Sequence, residues 1–184
     1  MSDGARETLI TDEMRGLVGR PMREATSYPI AASDIRRWAI AVYYPDVPPR
    51  IYWDEEYAAT TPWGGIVAPH EFNPFGAAWM AKHPTTTSVV GTSVGASGRS
   101  GAFELALGVE PPPYRAVLQS RIVATYSGVR MRPGDVIRAS TCISEYFERE
   151  GRMGLQLYTT VSDDLFNQHG DWIKRLDTVF VRYR

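Results

Sequence analysis

The feature that most constrains this chain is a change of rhythm at Tyr114. Beyond it, apolar residues recur at every second position in four stretches. Ala116, Leu118, Ile122, Ala124 and Tyr126 share one face of the first, with Ser120 the exception. Ile137, Ala139 and Ile143 alternate in the second, and Met153, Leu155, Leu157 and Val161 in the third. The fourth runs from Trp172 to Arg182. A period of two belongs to a strand, whose successive side chains point to opposite faces. The separators are turn formers: Arg132-Pro133-Gly134-Asp135, Glu150-Gly151-Arg152 and Asn167-Gln168-His169-Gly170. The first has proline and glycine where a type II turn favours them. Four successive strands with short connections predict an antiparallel meander. Its apolar face must be covered by something.

The cover is predicted upstream. Phe72, Phe75, Gly76, Trp79 and Met80 lie on one face at helical spacing. Asn73-Pro74 is an N-cap followed by proline in the first helical position. A start at His70 would leave Pro74 near enough to the first turn to be tolerated. Local chemistry favours the later start, with the helix reaching Lys82. The expectation is therefore an α+β domain, a sheet wrapped around one apolar helix.

Shorter elements precede it. Thr11 can cap a helix that begins with Asp12 and Glu13. Arg23 to Pro29 can be extended. Ser33 is expected to cap a second helix, whose Ile35, Trp38, Ala39 and Val42 make one apolar face. Three prolines make Tyr44 to Arg50 irregular. Asp54 to Ala58 reads as one helical turn. Gly91 to Gly101 is rich in glycine and serine and is expected to be a mobile loop within a flexible 91–113 segment.

Composition narrows the function. The 184 residues fit one domain, 1–184, with residues 1–20 as an N-terminal extension. A net charge of −1 argues against a nucleic-acid or anionic-membrane binder, which needs surplus positive charge. No apolar run is long enough to span a bilayer, and the polar first twenty residues lack a signal-peptide core. Cys142 is the one cysteine, so no internal disulfide forms, and a reducing cytoplasm is the simplest home. No His/Cys/Asp/Glu spacing suggests a metal site.

Several motifs, in order, resemble a known family. They are Ser33-Asp34-Ile35-Arg36-Arg37-Trp38-Ala39, then Pro49-Arg50-Ile51-Tyr52-Trp53-Asp54-Glu55-Glu56-Tyr57-Ala58, then Trp63-Gly64-Gly65-Ile66-Val67-Ala68-Pro69. Arg132-Pro133-Gly134-Asp135, Gly151-Arg152-Met153-Gly154 and Asn167-Gln168 follow. Together, over roughly residues 15 to 184, they resemble the N-terminal-type MaoC-like dehydratase domain. The resemblance implies a hot-dog fold, usually paired into a double hot dog. It implies acyl-CoA or acyl-carrier-protein thioesters as ligands and reversible hydration of trans-2-enoyl thioesters to 3-hydroxyacyl thioesters. It implies no metal or redox cofactor.

Active members carry an Asp and a His in a loop resembling Gly-Asp-x-Asn-Pro-x-His. This chain departs from it. Asp46 aligns with the Asp, but Pro45 replaces the Gly, Pro48 replaces the Asn, and Tyr52 falls where the His belongs. One residue is also inserted. A phenol with a pKa near ~10 is a poor general base at neutral pH. The usual dyad is absent. Such members resemble the non-catalytic half of a two-half enzyme, which implies a homodimer or a heteromer with a second MaoC-like subunit. His70 falls about where active members have an oxyanion-holding glycine.

Each candidate has a plainer alternative. His70 could act as general base, or Glu71 as the carboxylate of a hot-dog thioesterase. Equally, His70 could be a turn residue and Glu71 a favourable charge at a helix start. Asp46 could orient water or be a surface residue. Tyr52 could bond a thioester carbonyl or simply pack. The thioester is expected to enter beside Ala68, Pro69, Asn73 and Tyr52, where backbone N–H groups at the helix start meet its oxygen. Arg99 would then meet a CoA phosphate. The glycine-rich loop around it is not a phosphate-binding P-loop, because Ser93 stands where the first glycine is required and Arg99 replaces the lysine.

Overall fold

A computed structural model describes residues 8–75, 103–152 and 154–183. Five strands form one antiparallel sheet: β1 (Pro21–Thr26), β2 (Ala116–Tyr126), β3 (Arg138–Gly151), β4 (Gly154–Phe166) and β5 (Trp172–Tyr183). Their order is β1-β3-β4-β5-β2. The meander expected for the last four strands therefore holds only for β3, β4 and β5. The β2 strand pairs with β5, not with β3. The 127–137 connection is long enough to carry the chain from one side of the meander to the other, and Arg23 to Thr26 fills the place beside β3.

Pairing fixes which residues face inward. Leu157, Val161 and Leu165 of β4 are buried on the same face as Ala139 and Ile143 of β3. This face carries most of the core, which continues through Ile35, Ala58, Ile66, Ala68 and Phe72. Fully burying a side chain of this size contributes roughly 1.5–3 kcal/mol. Phe72 meets Trp38 edge-on, with ring centroids 5.6 Å apart.

Two of the expected core residues are not buried. Leu118 is 56% exposed and Ile122 57%. They do not share a face either. The register of β2 against β5 shifts between Gln119 and Arg121. Ser120 is the extra residue of a bulge, which turns Leu118 to the face opposite Ile122. The β2 strand is the edge of the sheet among the described residues.

The helices are α1 (Asp12–Arg15), α2 (Ala32–Tyr43) and α3 (Glu55–Ala59). Thr11 and Asp54 cap α1 and α3 as expected, accepting from the N–H groups of Met14 and Tyr57. Ser33 does not cap α2. The cap is Ala31, without a side-chain bond, and Ser33 Oγ instead accepts from Arg37 one turn on. Val42 is 52% exposed, so the apolar face of α2 narrows to Ile35, Trp38 and Ala39. The Arg132–Asp135 turn forms, closed by the Asp135 N–H on the Arg132 carbonyl, with Gly134 at φ 89°. At 71–75 the chain turns, and Asn73 Oδ1 accepts from the Phe75 N–H at 3.0 Å, a local cap. The helix expected beyond it, with Trp79, lies outside the described residues, as do the 91–101 loop and Arg99.

Candidate functional site

The run Ile66–Pro69 is buried, and it delivers His70 and Glu71 to the surface. Ala68 is pinned from both sides. Its N–H donates to the Met131 carbonyl at 2.8 Å, and its carbonyl accepts from Arg130 Nε at 3.2 Å. The same guanidinium reaches His70 Nε2 through Nη1 at 3.2 Å. Arg130 also lies over the Trp63 ring. Tyr126 packs against His70, with centroids 4.8 Å apart. Burial, and then the Arg130 charge, hold the His70 imidazole below its ordinary pKa. A neutral imidazole accepting from Arg130 is the form these contacts favour.

Lys174 holds the next residues. It is 2% exposed, on the inward face of β5, and Nζ donates to the carbonyls of His70 and Phe72, each at 2.9 Å. These two carbonyls flank Glu71. Burial lowers the Lys174 pKa to about 8, against the opposing pull of Glu71. Nothing in the sequence analysis singled this lysine out. Ile173 and Lys174 are both buried, so alternation along β5 does not reveal which of them faces the core.

The folded state disfavours charged Lys174, so the unfolded chain binds more protons between pH 8 and 10.5. Stability should therefore rise with pH across that window, by on the order of 2–3 kcal/mol. Burial also pushes the Cys142 thiol up, which opposes the rise from about pH 9, and Tyr43, Tyr126 and Tyr146, whose phenols are pushed up, oppose it above pH 10. Urea unfolding midpoints followed from pH 7.5 to 10 check this. The Lys174→Met protein should lose most of the slope, and an unchanged slope would contradict the assignment.

The loop aligned with the dyad is placed differently from its partner residues. Asp46 is exposed in the proline-rich segment, which contains a cis Tyr44–Pro45 bond, and its backbone N–H donates to the Tyr43 carbonyl at 2.7 Å. Tyr52 is half-buried, with its ring 6.0 Å from that of Tyr43. The Tyr52 hydroxyl is the main reason the Tyr43 phenol is held above its ordinary pKa, and Glu71 adds to it. Thus Tyr52, Glu71 and His70 share one neighbourhood with Tyr43, Tyr126 and Arg130, and Asp46 meets it through its backbone bond to Tyr43. Pro69 and His70 line a small cleft with Tyr126 and Arg130. Among the described residues no cluster of His, Cys, Asp and Glu could hold a metal ion.

Glu71 and Asn73 line a larger cavity of about 340 Å³. Its other walls include Trp38, Phe72, Phe75, Leu165 and Lys174. Both Glu71 and Asn73 are exposed, so the cavity meets solvent beside them. Such a space, mainly apolar with a few polar groups, can hold an extended acyl chain.

Solved structures share this architecture. The ChsH1-ChsH2 complex from Mycobacterium tuberculosis aligns with 16% identity and a TM-score of 0.56, covering 89% of this chain and 84% of that one. The C-terminally truncated HadBC (3R-hydroxyacyl-ACP dehydratase) complex from Mycobacterium tuberculosis aligns at 17% identity and TM-score 0.53, over 87% and 96%. The MaoC-like dehydratase from Rhodospirillum rubrum aligns at 17% and 0.50, over 88% and 91%. At such identities the likeness is one of fold. No curated protein matches the sequence. The family model described as "FAS1-like, dehydratase domain region" matches residues 16–176, most of the chain. With its five-stranded hot-dog sheet, the chain belongs to that family of MaoC-like hot-dog dehydratase domains.

Proposed function

We propose that this chain is one subunit of an acyl-thioester hydratase/dehydratase, the half that lacks the catalytic dyad. A second MaoC-like subunit supplies the Asp and His, and the pair interconverts trans-2-enoyl and 3-hydroxyacyl thioesters of CoA or a carrier protein. The carrying observation is Tyr52. By the loop resemblance it falls where the dyad histidine belongs, its ring lies 6.0 Å from that of Tyr43, and Asp46 is exposed with no imidazole beside it among the described residues. General acid–base catalysis contributes typically 10²–10⁴-fold, which this subunit alone forgoes. The β2 edge, which has no outer partner strand among the described residues, supports association, because such an edge with Leu118 and Ile122 exposed is a surface for a further strand. Two of the structures that share the fold are named as complexes.

The chain's own part is to hold the thioester. Arg130 and Lys174 fix the Ala68–Phe72 segment through its carbonyls, so its conformation does not depend on the ligand. His70 stands exposed in the middle of that segment, and Tyr52 offers a phenol to a thioester oxygen.

A second reading has one observation in its favour. Glu71 is exposed at the mouth of the cavity, so it could activate water against a thioester carbonyl as a thioesterase does. Thiol release from acyl-CoA by the pure protein separates the two. The hydratase-subunit reading expects none above background, and release abolished by Glu71→Gln would replace it. His70→Ala should weaken crotonyl-CoA binding about tenfold by calorimetry, as expected for a lost hydrogen bond to a charged partner and its support. Unchanged affinity would leave His70 a packing residue. Binding with no turnover, with or without a second subunit, would make the chain a binding module.

A further inference from the structure

A charged row crosses the inward face of the sheet. Register places Arg23 of β1 opposite Thr141 of β3, Thr141 opposite Asp163 of β4, and Asp163 opposite Leu176 of β5. Arg23 Nη2 lies 3.2 Å from Thr141 Oγ1 and 3.5 Å from Asp163 Oδ1, and Thr141 donates to Asp163 at 2.5 Å. The Arg23 side chain is 11% exposed and that of Asp163 27%. Burial holds the Asp163 carboxyl above its ordinary pKa and the Arg23 guanidinium below. A well-packed apolar pair in such a place is commonly as stable or more so. Stability alone does not account for these residues.

They line the 340 Å³ cavity that opens beside Glu71 and Asn73. A second observation concerns Trp38, which also lines it. Its indole Nε1–H is buried and has no hydrogen-bond acceptor among the described residues. Such orphaned donors are rare and call for an acceptor. The cavity thus combines apolar walls of Phe72, Phe75, Leu165 and Leu176 with polar groups of Arg23, Asp163 and Trp38.

We propose that the cavity takes an acyl thioester whose chain carries a hydroxyl several carbons from the thioester. The inference rests on the acyl-thioester reading above. The polar lining groups select the hydroxyl. A hydroxyl accepts from Arg23 or the Trp38 N–H and donates to Asp163, so it satisfies both kinds of group. A carboxylate gains less, because Asp163 already balances Arg23. The Arg23 guanidinium reaches over β3 to Asp163 on β4, which lies one strand spacing and two residues from Lys174 on β5, about 8 Å. An extended chain advances roughly 1.2 Å per bond, which places the hydroxyl about six to seven bonds from the thioester.

Calorimetry with the full chain, in the assembly in which it purifies, tests this. The probes are heptanoyl-CoA and its ω-hydroxylated form. The hydroxylated probe should bind at least about tenfold more tightly. Arg23→Met and Trp38→Phe should each reduce that preference below about threefold. The second variant keeps an aromatic ring in place, and holds the test open if the first does not fold. Equal affinities, a preference for the unsubstituted chain, or a preference that survives both substitutions would overturn the proposal while leaving acyl-thioester binding intact. Binding of neither probe would overturn both.

Discussion

Truncating Glu104 to alanine is expected to destabilise the folded chain by about 3–5 kcal/mol, the usual consequence of leaving a buried charge without its partner. Glu104 is fully buried in the short 3₁₀ segment Phe103–Leu107, and Arg182 near the end of β5 is 2% exposed. The two meet bidentately, Nη1 on Oε2 at 2.9 Å and Nη2 on Oε1 at 2.5 Å. Arg182 Nη2 also reaches Thr159 Oγ1 at 2.6 Å. This pair ties the chain entering β2 to the far end of the β4–β5 hairpin. Glu104→Leu combined with Arg182→Met should recover most of the loss, because no charge is then left buried. Urea unfolding of the wild type and the two variants measures it. A loss below about 1 kcal/mol for Glu104→Ala would show that Arg182 finds another partner or water.

The second large effect is expected at the β2 edge. Ile122→Lys should convert an associated protein into monomer, raising the dissociation constant at least about 100-fold. Ile122 is 57% exposed on an edge strand, so the isolated subunit should tolerate the change. A second strand laid along β2 would cover it, and burying an ammonium there is strongly unfavourable. Light scattering before and after the substitution reads the mass. A wild-type monomer would remove the basis for pairing through this edge. An oligomer unaffected by Ile122→Lys would place the interface elsewhere.

Much of the sheet was legible because alternation is a local signal. Ile137, Ala139, Ile143, Leu157 and Val161 are all buried as their spacing predicts. Strand order was not legible, since nothing in β2 itself states that it pairs with β5 instead of β3. The bulge at Ser120 was visible only as an exception to the pattern, and its consequence for Leu118 follows from register. The same limit explains the misplaced cap at Ser33, a suitable residue two positions inside the helix.

The site was legible where the family motifs reached. His70, Glu71 and Tyr52 come to one neighbourhood. The polar row was missed, although a trace of it was present. Asp163 continues the inward series Leu157, Val161 by two residues, so an acidic residue stood at a core position. Its partner Arg23 is 140 residues away, and only strand pairing brings the two together. Lys174 and Arg130 act on backbone carbonyls, and contacts of that kind leave no pattern in the sequence.

The central claim is that this chain lacks a working dyad and depends on a subunit that has one. The most direct test is the initial rate of crotonyl-CoA hydration by the pure chain, compared with the rate after co-expression with a MaoC-like subunit whose Asp/His loop is intact. The account expects hydration near background for the chain alone and a rate about 10²–10⁴-fold higher with the partner. Robust hydration by the pure chain, unaffected by the partner, would contradict it and would assign the chemistry to His70, Asp46 or Tyr52 of this subunit.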